Sequence, residues 1–162
     1  MRDLSMFCYQ CEQTAKGEGC GKIGVCGKEP EVATLQDLLI YALKGLSIVA
    51  AEGRKAGIID RQVNVFTAKA LFSTLTNVDF NPERFIQLIR RCVEVREGLR
   101  EKVIKGGGKG DFSEGPAAFK PESSLEGLIA QGEKVGLKSD PTINPDILSL
   151  QHTLLFGIKG VA

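Results

Sequence analysis

The sequence predicts an all-α fold: a three-helix bundle preceded by a glycine-rich loop with four cysteines, and followed by the first helix of a second, truncated bundle. Three observations carry this reading. Apolar residues recur at three- and four-residue steps beyond residue 30, no segment alternates apolar and polar side chains as a strand does, and residues 150–162 repeat the pattern of the first helix.

In the first helix, Leu35, Leu38, Leu39, Ala42, Leu43, Leu46, Val49 and Ala50 form one apolar face; Thr34 with Asp37 reads as a capping box at its start and Gly57 as its end. Asp60 caps a second helix carrying Val63, Phe66, Ala70 and Leu71, predicted to run to about Asn77. Asn81-Pro82-Glu83 opens a third, with a cap residue followed by a first-turn proline. Its predicted stripe is Phe85, Leu88, Cys92, Val95, Leu99 and Val103, with Arg and Glu opposite. Short connections between amphipathic helices favour an antiparallel bundle. The predicted organisation is therefore a ligand loop at 1–30, a bundle at 31–105, a Gly/Pro/Ser-rich connection at 106–143 with a short helix near 125–135, and the second bundle's start at 144–162. Gly106-Gly107-Gly108-Lys109-Gly110 is no phosphate loop, because no strand precedes it and Asp, not Ser or Thr, follows soon after the lysine.

LQDLLIYALKGLS at 35–47 aligns with LQHTLLFGIKGVA at 150–162 without a gap. Leu35/Leu150, Gln36/Gln151, Leu39/Leu154, Lys44/Lys159 and Gly45/Gly160 are identical pairs. The second copy stops a helix in, so that helix either packs on the first bundle or begins something longer. His152 sits on the predicted polar side of this helix and reads as solvent-facing; Cys92, on an apolar stripe, reads as a packed core thiol.

The composition excludes several classes. The chain has 162 residues, 43% hydrophobic and 25% charged, which is ordinary for one soluble domain. Lys+Arg 21 against Asp+Glu 20 gives a net charge of +1, too little to bind nucleic acid through its phosphates. The longest unbroken apolar run, 38–43, is far short of a membrane span, and the first residues carry no secretion signal. A cytoplasmic protein with neither nucleic-acid nor membrane partners is expected.

Four of the five cysteines, Cys8, Cys11, Cys20 and Cys26, lie in the pattern C-x2-C-x8-C-x5-C. An odd count without a signal peptide points to metal or redox chemistry rather than a disulfide framework. The loop has no periodicity, five glycines, and few apolar side chains to order it. A bound ion or cluster would supply that order, since ligation free energy becomes folding free energy. Structural zinc favours two short knuckle pairs, and only the first pair here is short. An iron–sulfur cluster accepts irregular spacing, and Lys16, Lys22 and Lys28 against Glu12 and Glu18 leave the loop slightly positive. Both candidates stay open on spacing alone.

MFCYQCEQTAKGEGCGKIGVCGK followed by LQDLLIYALKG resembles the amino-terminus of the hybrid cluster protein (hydroxylamine reductase) family. The resemblance extends through the DFSE stretch at 111–114 to LLFGIKGVA; residues 1–5 precede the family's usual start. It implies that Cys8, Cys11, Cys20 and Cys26 ligate a cubane [4Fe-4S] cluster, a group of members with different spacing holding [2Fe-2S] instead. It also implies reduction of hydroxylamine to ammonia and water at a second, hybrid iron–sulfur–oxygen cluster held by His, Glu and Cys of downstream domains. Beyond the loop this chain has one Cys and one His, neither in a matching motif, so it is expected not to bind the hybrid cluster. The resemblance thus points to an electron-transfer domain whose partners are the downstream domains and a redox donor protein. A stand-alone redox carrier and a zinc-stabilised helical interaction module without redox activity are the competing readings.

Overall fold

The computed structural model of the chain describes residues 6–8, 17–108, 110–135 and 142–162. Every regular element within them is helical: α1 (Pro30–Lys55), α2 (Arg61–Ser73), α3 (Pro82–Lys105), a 3₁₀ turn (Gly115–Ala118), α4 (Leu125–Val135) and α5 (Pro145–Val161). The all-α class expected from periodicity is the class observed.

α1 is the axis of the molecule. α3, the 3₁₀ turn and α4 pack along it, α2 touches α1 and α3 more lightly, and α5 lies against α2. Leu35, Leu38, Leu39, Leu46 and Val49 of α1 meet Phe85, Ile89, Leu99 and Val103 of α3, Leu128 of α4, and Ala117 and Phe119 of the connection. Each such side chain contributes roughly 1.5–3 kcal/mol by leaving water. Tyr41 and Phe119 pack edge to face at 5.6 Å. By length and composition alone α1 could cross a membrane, but 72% of its most apolar window is buried inside the protein. Its hydropathy is that of a core helix covered from several sides.

Two caps follow the sequence closely. The Asp60 carboxylate accepts from the Gln62 and Val63 amides, and the Asn81 side chain accepts from Arg84 N–H. The same holds for α5, where Asn144 accepts from the Asp146 amide. α1 departs from expectation. It begins at Pro30, a turn before the Thr34–Asp37 pair, with no side-chain cap on its N-cap residue Glu29. Proline fixes the first helical φ and lacks only an N–H the helix would leave unpaired. Thr34 is therefore already inside the helix, its hydroxyl donating to the Pro30 carbonyl at 3.0 Å. α2 likewise stops at Ser73 rather than near Asn77. The residues that follow close on themselves through 3₁₀-type bonds, and Asn77 takes a left-handed φ of 64° that no helix continues through.

The α3 stripe is rotated from its predicted line. Ile89 and Arg96 are buried with Phe85, Cys92, Leu99 and Val103, whereas Leu88 and Val95 are only half-buried. Arg96, expected on the solvent face, is 2% exposed because its guanidinium donates to the carbonyls of Pro116 (3.1 Å) and Phe119 (2.7 Å). It thereby fastens the connection to the bundle. His152 also differs from expectation. It is half-buried in an apolar groove of about 570 Å³ between α5 and the α1/α2 pair, where burial and then the Lys44 charge lower its pKa.

Candidate metal centre

The loop before α1 is seated by its backbone. Met6 N–H donates to the Gly21 carbonyl and Cys8 N–H to the Cys20 carbonyl, which lays residues 6–8 beside 20–21. Met6, Cys20 and Ala33 form a small buried cluster, with Cys8 packed against it, so the loop rests on the first turn of α1. Further on, Gly24 N–H bonds the Lys28 carbonyl at 2.8 Å and Gly27 N–H bonds Gly24 O at 2.8 Å, closing a tight turn around Cys26. Both positions favour glycine. A β-carbon on Gly24 would stand 3.1 Å from Cys26 Sγ, and Gly27 has φ +86°.

The outcome is a cavity of about 250 Å³ lined by Cys8, Cys20, Cys26, Gly24, Val25, Lys28, Thr76 and Asn77. Three of the four cysteines of the sequence pattern therefore come together; Cys11 lies outside the described residues. Its volume is roughly that of eight liquid-water molecules. Among the described residues, no three His, Cys, Asp or Glu side chains converge as ligands of one metal ion do. Soft sulfur donors suit a zinc ion or an iron–sulfur cluster.

Two walls of this cavity were not evident from the spacing of cysteines. Lys28 is 1% exposed; its ammonium donates to Gln36 Oε1 at 2.5 Å and stands 4.0 Å from Cys8 Sγ. Gln36, fully buried on α1, donates through Nε2 to the Asp79 carbonyl at 3.3 Å. Thr76 and Asn77 bring the α2–α3 turn over the same space. A glutamine inside a run of leucines was the available signal, since a buried amide on a core helix needs a partner.

Cys92 is elsewhere. It is fully buried on α3, and desolvation pushes its thiol up to about 12 despite the opposing pull of Arg96. That is an inert core thiol, as its place on an apolar stripe predicts.

Residues 6–161 match the Prismane/CO dehydrogenase family. The chain belongs to that family. Relatives within reach of this Prismane-family chain include proteins named hydroxylamine reductase from Syntrophobacter fumaroxidans (66% identical over 97% of the chain) and Methanocella arvoryzae (56% over 97%). A third, from Solidesulfovibrio magneticus, is 52% identical over 97%. The chain spans about 29% of the length of the first two and 28% of the third.

Proposed function

We propose that this chain is the iron–sulfur electron-transfer part of a hydroxylamine reductase-type oxidoreductase. On this reading it binds one [4Fe-4S] cluster through Cys8, Cys11, Cys20 and Cys26, and it lacks the ligands of the hybrid cluster. The observation that carries the reading is the meeting of Cys8, Cys20 and Cys26 around one cavity beside a buried lysine. Membership of the Prismane family and the names of the relatives support it.

When bound, the cluster supplies one-electron storage without proton chemistry at the site. The chain's own residues do the rest. Cys8 and Cys20 are held side by side by their backbone pairing, and the Gly24–Gly27 turn presents Cys26. Met6 packs against Cys20 with Cys8 beside it, and Lys28 offers the sulfurs a positive charge. The positive end of α1 begins just after the loop, where it favours the negative charge of thiolates. Electrons would come from a redox donor protein and pass to the remaining domains of the enzyme, where hydroxylamine is reduced; the chain alone binds the cluster without turnover.

Anaerobic purification followed by iron and sulfide analysis tests this. About four irons and four labile sulfides per chain are expected, with a broad visible band that bleaches on adding dithionite. A colourless protein with stoichiometric zinc, or a fully folded chain holding neither iron nor sulfide, overturns it.

A further inference from the structure

A buried ammonium is costly unless something negative or strongly polar meets it. Lys28 is essentially fully buried, and among the described residues no carboxylate pairs with it. Its nitrogen has two partners: the Gln36 side-chain oxygen at 2.5 Å and Cys8 Sγ at 4.0 Å. Gln36 in turn is oriented by the Asp79 carbonyl, which takes its Nε2 and leaves its oxygen turned to the lysine. The α2–α3 turn, α1 and the loop therefore cooperate to hold one cation at the edge of the thiol cavity.

We propose that Lys28 is the fixed counter-charge of the cluster, that it raises the cluster's reduction potential, and that Gln36 is the positioning residue that holds it. This rests on the iron–sulfur reading above. Four thiolates bring a cluster to net negative charge, and one-electron reduction by an external donor adds one more negative charge, with no bond made or broken. A cation a few ångströms away in a low-dielectric site stabilises the reduced form more than the oxidised form. The potential is thereby moved upward, and the effect is little screened by salt because the charge is buried.

The test is a dithionite redox titration of the anaerobically loaded chain, followed by visible absorption, for wild type, Lys28→Gln, Lys28→Arg and Gln36→Leu. With iron and sulfide content unchanged, Lys28→Gln is expected to titrate at a clearly more negative potential, and to keep that offset in high salt. Lys28→Arg should stay near wild type. Gln36→Leu should shift part of the way, since the charge remains but is no longer held. An unchanged potential in Lys28→Gln with its cluster intact overturns the proposal, as does an equal shift in Lys28→Gln and Lys28→Arg. If Lys28→Gln fails to retain iron, the Gln36→Leu titration decides: a shift to more negative potential supports the proposal, and a wild-type potential overturns it. A wild-type chain without iron and sulfide would instead remove the underlying cluster reading.

Discussion

The carbonyl of Pro116 comes so close to Gly45 that a β-carbon at residue 45 would overlap it. This glycine sits mid-way along α1, where alanine would be intrinsically better by about 1 kcal/mol. Contact with the 3₁₀ turn outweighs that preference. Gly45→Ala is predicted to destabilise the chain by about 2 kcal/mol net, because a backbone atom must move to admit the methyl group. Its repeat counterpart, Gly160 on α5, has nothing near the place a β-carbon would take. Gly160→Ala should be neutral or stabilising by up to about 1 kcal/mol. Urea midpoints of the two variants check this, and equal effects would mean that the two glycines are shared by repeat ancestry rather than by packing.

What was legible in the sequence was local. Asn81-Pro82 and Asn144-Pro145 announce helix starts because a cap and an N1 proline act within three residues. Thr34 and Asp37 carry the same kind of signal and misplace α1, since Pro30 one turn earlier had already started the helix. The cysteine spacing marks the loop, yet spacing could not reveal Lys28 as anything but one more loop charge. Its burial depends on Gln36, eight residues on, and on Asp79, 43 residues beyond Gln36. Arg96 eluded periodicity for the same reason: its partners are carbonyls of a connection with no periodic pattern of its own.

Arg96 should therefore behave as a core residue. Arg96→Met takes the guanidinium donor from the Phe119 carbonyl, at about 1–3 kcal/mol for a buried unsatisfied group, and leaves the Pro116 carbonyl with only the Phe119 amide at 3.3 Å. A loss of about 3 kcal/mol in chemical denaturation is predicted, together with faster proteolysis within residues 111–124. The Glu97 partner adds little, since its side chain is 45% exposed. Wild-type proteolysis in Arg96→Met would show that the connection is held by Phe112, Ala117 and Phe119 alone.

The two kinds of cysteine should separate cleanly. Cys20→Ser is predicted to lose or degrade the cluster and to raise hydrogen exchange in residues 6–28, leaving α1 and α3 protected. Cys92→Ala should keep full iron content and lose about 1–2 kcal/mol by cavity formation. With its thiol pushed up to about 12, Cys92 should also resist iodoacetamide in the native chain near neutral pH and react only on unfolding. Mass spectrometry of the labelled protein reads this directly, and iron loss in Cys92→Ala would reassign the ligands.

Asp60 links helix capping to acid stability. Its carboxylate accepts from Lys102 Nζ at 2.7 Å and from the Val63 and Gln62 amides, and these bonds hold its pKa below the ordinary value of 3.8. A carboxyl group with a depressed folded pKa binds fewer protons folded than unfolded, so stability rises with pH through that range. The contribution is fully present above 3.8 and is lost as the pH falls below it toward the folded value. Asp60→Ala should cost about 1 kcal/mol near neutral pH, the usual worth of an N-cap. Asp60→Asn keeps an acceptor for the α2 amides but gives up the charge facing Lys102. It should lie within about 1 kcal/mol of wild type at neutral pH and lose less stability than wild type on acidification below 3.8. Urea unfolding across that pH range distinguishes the two, and an Asp60→Asn curve parallel to wild type throughout would place the acid sensitivity of the fold on other carboxylates.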